Sequence, residues 1–402
     1  MNRPIRRVAF VAMIMFALLL ANGTYMMVFR QASLAAQPQN RRVRDAEFAQ
    51  DRGSILAAGK TEIATTQAVK DRFKFQRTYP EGVLYTPVTG FFSYDHGSTG
   101  LESTYNTQLA GTDDTFFVRR IMDLATNRTP QGASVQTTIV PKVQKAAAKA
   151  LGRQKGAVVA LDPQSGAVLA MVTSPVYNAN DIATHDIGQA DKAYQRLAAA
   201  PDRPMANRAI REIYPPGSTF KLVTAAAGLA AGRTPDSKLS APPRLKLPGT
   251  NTFLPNESSC GGTQITLTRA LQVSCNTAFA GLGIALGQDA LRTQADKFGF
   301  DQRHLSDLNG VASQFPDKMD GAQTGLSSIG QFDVAASPLQ MAMVTAAIAN
   351  GGVLMDPYLV SMVQSPDLNP LSTHKPTKLS QAMTAANAKL LKQMMVSVVT
   401  QG

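Results

Sequence analysis

The sequence predicts an α/β domain, apolar helices packed on an antiparallel sheet, placed behind a membrane anchor and a small amino-terminal module. Three observations support this. The stretch 134–175 reads as strand, helix and hairpin; 219–232 and 337–352 have the Ala-rich composition of buried helices; and Val8 to Phe29 is 22 residues without a charge.

The apolar run follows a head, residues 1–7, that carries Arg3, Arg6 and Arg7. At about 1.5 Å per residue it spans a hydrocarbon core of roughly 30 Å. A signal-peptide core is shorter, about 7 to 15 residues, so an uncleaved anchor at 8–29 is expected, with cleavage near ASLAA (32–36) as the rival. Charge alone leaves the orientation open, because Arg30, Arg41, Arg42 and Arg44 follow the span. The short head and long remainder favour a single-pass cell-membrane protein with its globular part outside the cytoplasm.

Residues 30–133 have mixed polarity and strand-like runs such as GVLYTPVTGFFSY (82–94). QDRGSI (50–55) and GSTGLESTYNTQLAG (97–111) read as turns and one short helix. This stretch carries no catalytic pattern, and a pedestal or interaction module is expected.

From Ser134 the character changes. VQTTIV (135–140) reads as a strand, PKVQKAAAKALGRQ (141–154) as a helix started by Pro141, and GAVVALDPQSGAVLAMVTSP (156–175) as two strands joined at Asp162–Gly166. TFKLVTAAAGLAAG (219–232) is a buried helix closed by Gly232, and SPLQMAMVTAAIANGG (337–352) repeats the pattern.

Composition narrows the partners. The chain has 402 residues, 44% of them hydrophobic, which excludes a disordered tail, and 40 Lys and Arg against 28 Asp and Glu give a net charge of +12. Nucleic acid, anionic lipid or an anionic wall polymer would suit that charge, but no zinc-finger spacing, RNP-like motif or dense basic run favours nucleic acid. His96, His185, His304 and His374 are scattered without paired spacing, so neither a metal nor a cofactor is expected. Cys260 and Cys275, 15 residues apart, are a possible disulfide, and two separate buried thiols are the alternative.

The chemistry concentrates at IYPPGSTFKLV (213–223). Pro215, Pro216 and Gly217 fix the entry to a helix, so Ser218 lies at its first turn, where backbone N–H groups and the positive dipole end stabilise a developing oxyanion. Residues three apart share a helix face, so Lys221 reaches the Ser218 hydroxyl. Burial lowers a lysine pKa, and a neutral amine then accepts the serine proton. A bare Ser-x-x-Lys is weak, since Ser372 to Lys375 satisfies it too, between Pro370 and Pro376 in an apparent loop. A second polar set, Ser274-Cys275-Asn276, follows 56 residues after Ser218. Ser274 and Asn276 can face one side while Cys275 points away, although Ser-x-Asn alone is a common turn or cap.

YPPGSTFK (214–221) with SCN (274–276) resembles the first two motifs of the penicillin-recognising acyl-serine transferases. GAVVALDPQSGAVLAMVTSPVYNAND (156–181), ANRAI (206–210) and SPLQMAMVTAAIANGG are similar to transpeptidase-domain stretches of that family, and QDRGSI with GLESTYNTQLAG resembles the short module of class B penicillin-binding proteins. The resemblance implies a β-lactamase/transpeptidase-like fold for 134–402. It implies a peptidoglycan D,D-transpeptidase with Ser218 as nucleophile, Lys221 as base, Ser274 as proton shuttle and Asn276 orienting lysine and substrate. Stem peptides with D-Ala-D-Ala ends, amine acceptors, β-lactams, the membrane and cell-division proteins are the implied partners. A D,D-carboxypeptidase, a β-lactamase, a non-catalytic division scaffold and a β-lactam sensor are the rivals. The family's third motif, Lys-Thr/Ser-Gly, is expected some tens of residues after NAKLLKQMMVSVV (387–399), and the chain given ends at Gly402. An incomplete domain, weakly active or inactive and marginally stable, is therefore expected.

Overall fold

The computed structural model describes residues 3–30, 33, 41–113 and 131–402. Most of 32–36, the alternative cleavage site, lies outside the described residues. Residues 1–50 with 68–76, and residues 51–67 with 77–402, form two compact units.

In the smaller unit, helix Arg3–Val28 is 26 residues long, exposed along its length, and apolar enough to cross a membrane. A second helix, Arg41–Phe48, ends at Phe48, whose ring lies 5.6 Å from that of Phe73.

In the larger unit, one sheet places Pro370–Thr373, Val360–Gln364, Ser134–Thr137, Ile55–Ala57 and Thr61–Ala68 side by side. All these pairings are antiparallel except Ile55–Ala57 with Ser134–Thr137. Residues 55–57 from the amino-terminal part and 134–137 thus share one ladder. The expected strand, helix and hairpin stand at Ser134–Thr137, Pro141–Leu151, Gly156–Leu161 and Val168–Ser174. The last two pair antiparallel from Gly156↔Ser174 to Leu161↔Val168. Gly166 closes the hairpin at φ +84°, and a Cβ there would lie 2.4 Å from the Asp356 carbonyl, so only glycine fits.

Two local expectations change. Within 82–94 the chain forms a short helix, Thr86–Thr89, before the two-residue strand Phe92–Ser93, because Pro87 sits at the helix start and Gly90 ends it at φ +68°. Ser372 lies in the exposed edge strand Pro370–Thr373, paired with Val363, and not in a loop. No helix begins there to present its hydroxyl.

The apolar helices occupy the core. Helix Lys221–Ala230 buries residues 223–229 and packs against Asn276–Leu286, Gln288–Lys297 and Ala385–Gln401. Helix Pro338–Ala349 starts at Pro338 and is capped by Ser337, whose hydroxyl accepts from the Gln340 N–H at 3.1 Å. Phe220, fully buried, stacks on Phe315 at 5.5 Å and meets Phe300 edge-on at 5.6 Å. Burying such a ring stabilises the fold by about 1.5–3 kcal/mol and pins the turn that holds Ser218.

Candidate active site

Ser218 stands in a tight turn of 3-10 geometry, Gly217–Phe220, that runs directly into helix Lys221–Ala230. Gly217 enters the turn at φ +55°, and its N–H donates to the Gly330 carbonyl at 3.0 Å. Thr219 closes the turn by donating its hydroxyl to the Pro216 carbonyl at 2.7 Å. Gly330, at φ +72°, lies so close that a Cβ on it would stand 2.3 Å from the Gly217 oxygen. The sequence reasoning missed Gly330, since nothing local marks a glycine 113 positions beyond Gly217 as part of the nucleophile turn.

The structure brings Ser218, Lys221, Ser274 and Asn276 together. Lys221 is 1% exposed, and its Nζ lies 2.7 Å from the Ser274 carbonyl, 2.7 Å from Asn276 Oδ1, 2.9 Å from Ser274 Oγ and 3.1 Å from Ser218 Oγ. The two serine oxygens are 2.9 Å apart. Of the four neighbours, the carbonyl and the amide oxygen can only accept, whereas both hydroxyls can also donate. A neutral amine has two N–H groups and one lone pair. It satisfies both obligate acceptors and keeps the lone pair for a serine proton.

Ser274 presents its carbonyl and its hydroxyl to one amine because its backbone is left-handed, at φ +53°. This conformation costs a non-glycine residue on the order of 1–3 kcal/mol and persists only where the surroundings impose it. They do so here: Ser274 joins helix Leu267–Gln272 to helix Asn276–Leu286, and Cys275 between them is bonded to Cys260. Asn276 opens its helix, with Oδ1 on the lysine and Nδ2 donating to the Pro255 carbonyl at 3.4 Å. Replacing both cysteines with alanine is expected to remove about 3 kcal/mol for a loop of this length. A urea midpoint unchanged in the double variant would show that the bridge contributes nothing.

Burial lowers the Lys221 pKa to about 8, against the opposing pull of the Glu257 carboxylate. The charged form is penalised because little water reaches the amine. Acylation that needs the neutral amine should rise about tenfold per pH unit below pH 8 and level off above it. A rate of β-lactam acylation flat between pH 6.5 and 9 would contradict the assignment of Lys221 as base.

The groups of His, Cys, Asp and Glu among the described residues include none arranged to hold a metal ion. His96 stacks on Tyr194 with centroids 4.0 Å apart, His374 on Tyr358 at 3.9 Å, and His304 contacts the Gly299 carbonyl. Asp202 and Glu212, near the nucleophile in sequence, serve the buried Arg208: the Asp202 carbonyl accepts from it, and Glu212 lies 3.6 Å from its Nε.

The chain is similar to known proteins along its length. Residues 156–402 match the family described as penicillin binding protein transpeptidase domain, and residues 52–135 match the penicillin binding protein A dimerisation domain. The peptidoglycan D,D-transpeptidase PbpA of Mycolicibacterium smegmatis is 43% identical over 412 residues, covering 100% of this chain and 84% of that protein. PbpA of Mycobacterium tuberculosis is 43% identical over 405 residues, 98% of this chain and 82% of the relative. Two solved structures of M. tuberculosis penicillin-binding protein A, each 43% identical, superpose well. The ceftriaxone acyl-enzyme gives a TM-score of 0.86 over 89% of this chain and 82% of that one, and the penicillin G acyl-enzyme 0.85 over 87% and 82%. A lysine that joins the hydroxyl of Ser218 to Ser274 and Asn276, on a chain matched along its length by these relatives, places this protein in the class B penicillin-binding proteins.

Proposed function

We propose that the protein is a peptidoglycan D,D-transpeptidase that works through an acyl-serine intermediate on Ser218 and is acylated there by β-lactams. The observation that carries this is one buried amine, Lys221 Nζ, within 3.1 Å of Ser218 Oγ, Ser274 Oγ and Asn276 Oδ1. Ser218 Oγ attacks the carbonyl of the penultimate D-alanine while its proton passes to the lone pair of Lys221 Nζ. The tetrahedral intermediate collapses, the C–N bond breaks, and the leaving amine takes a proton from Ser274 Oγ. Lys221 returns a proton to Ser274 across 2.9 Å, so the amine ends neutral. An amine of a neighbouring stem peptide then attacks the ester, and the same groups run in reverse. Asn276 holds Lys221 with Oδ1 and is assigned a further contact with the substrate backbone.

The domain reading that goes with this places a cytoplasmic head at 1–7, the anchor at 8–29, an interaction module at 30–133 and the transpeptidase domain at 134–402. The match of 52–135 to a dimerisation-domain family supports pairing of chains or of division proteins through that module. An anchor that crosses the cell membrane, with the globular part outside the cytoplasm, would hold the enzyme on the side of its wall substrate.

The test is the intact mass of the membrane protein before and after exposure to penicillin G, with Ser218→Ala alongside. One drug mass gained only when Ser218 is present is the expected result. No mass gained by the unaltered protein would defeat the proposal.

A further inference from the structure

The segment after Gly330 breaks a local rule. Val334 N–H donates to the Gln331 carbonyl at 3.4 Å, closing a four-residue turn with Phe332 at its second position and φ +59°. Turns with a positive φ there take Gly, Asn or Asp, because a bulky side chain is strained in that conformation. Here a phenylalanine occupies it, and the residue is 39% exposed, so packing alone gives a weak reason for tolerating the strain. Strained residues cluster at binding and catalytic sites, and this one adjoins the candidate site.

Its location suggests its task. The Gly330 carbonyl holds the Gly217 N–H, and Gln331 Nε2 lies 3.8 Å from where a Cβ on Gly217 would stand. Residues 330–332 therefore flank the turn that carries Ser218. A few residues on, Ala336 and Tyr214 exchange both backbone hydrogen bonds, at 2.8 and 3.0 Å. The facing segment exposes Tyr214 by 42% and Ile213 by 37%. Three partly exposed apolar side chains, Phe332, Tyr214 and Ile213, thus lie on the two segments that flank the Ser218 turn.

We propose that Phe332, with Ile213 and Tyr214, is a specificity platform for the aliphatic side chain of the residue that precedes D-Ala-D-Ala in the acyl donor. The inference rests on the transpeptidase reading above. An aromatic face gives a long methylene chain a contact that a methyl group cannot make, without demanding a particular charge at the chain's end.

The experiment uses the full chain and measures how two peptides slow the labelling of Ser218 by a fluorescent penicillin. The peptides are Nα,Nε-diacetyl-L-lysyl-D-alanyl-D-alanine and Nα-acetyl-L-alanyl-D-alanyl-D-alanine. The long-chain peptide should protect at about tenfold lower concentration than the short one, the low end for a hydrophobic contact of this size. In Phe332→Gly and Phe332→Asn, both of which suit the left-handed backbone, that ratio should fall to about one, and in Phe332→Tyr it should return. A ratio is read because a general loss of folding or reactivity cancels from it. A ratio that persists in both variants, or an unaltered protein without any preference, would overturn the platform. Absence of all labelling would instead overturn the acyl-serine reading on which it rests.

Discussion

Lys221→Met is expected to lower the second-order rate of acylation by penicillin G on the order of 10³-fold, within the range that general base catalysis contributes. Methionine matches the length of the stem and stays in a site that is 1% exposed, so the loss reports the amine and not a cavity. The carbonyl of Ser274 and Asn276 Oδ1 lose their donor, each at about 1–3 kcal/mol, so the melting temperature should fall as well. Lys221→Arg separates two roles for the residue. Arginine keeps a positive charge at every accessible pH but cannot be a base. If Lys221 acted only by attracting negative charge, arginine would preserve much of the rate; as a base, it must fail nearly as badly as methionine. Stopped-flow acylation of both variants decides, and a loss of less than tenfold in Lys221→Met would remove Lys221 from the proton path.

Much of this site was legible because its logic is local. Pro215, Pro216 and Gly217 announce a helix start, and Lys221 follows Ser218 by one turn, so the sequence places hydroxyl and amine together without knowledge of the rest. The hairpin Gly156–Ser174 was equally readable from its turn residues. What stayed hidden depends on distant neighbours. The left-handed backbone of Ser274 is imposed by the helices on both sides and by the bond from Cys275 to Cys260, and no propensity predicts it. Gly330 matters only because another backbone passes within 3.0 Å. At 82–94 the β-rich composition suggested strand, but Pro87 and Gly90 set a short helix, since turn chemistry outweighs propensity over so few residues. QDRGSI and GLESTY resemble parts of one module in the sequence, but the contact of Arg52 with Glu102 that ties them appears only in the fold.

That connection gives the second large effect: Glu102→Ala is expected to destabilise the larger unit by about 3–5 kcal/mol. Glu102 has no exposed side-chain surface, and Arg52 Nε and Arg77 Nε each reach one of its carboxylate oxygens at 2.6 Å. Tyr79 adds its hydroxyl at 3.2 Å. Both guanidiniums also bind backbone: Arg52 to the Glu102 carbonyl at 2.7 Å and Arg77 to that of Gly53 at 2.8 Å. Three chain segments, around 52, 77 and 102, are therefore tied at one point beside the Phe92 ring, over which Arg52 lies at 4.2 Å. Removing the carboxylate takes from two buried guanidiniums the charge that each meets at 2.6 Å. Burial by itself would raise the Glu102 pKa, but Arg77 and Arg52 outweigh it and hold the carboxyl below its ordinary value. With a folded pKa below the unfolded value of about 4.3, the group stabilises the protein above that pH, and its contribution disappears as pH falls through the folded pKa. Glu102→Gln should therefore unfold more readily than the unaltered protein at pH 7, and the gap between them should narrow in acid. Replacing all three partners with apolar residues should not restore stability fully, because the Glu102 and Gly53 carbonyls would lose their donors. Urea unfolding at pH 7 and at a series of pH values below 4 tests this. Equal midpoints for Glu102→Ala and the unaltered protein at pH 7 would mean that the tie between these segments holds without its charge.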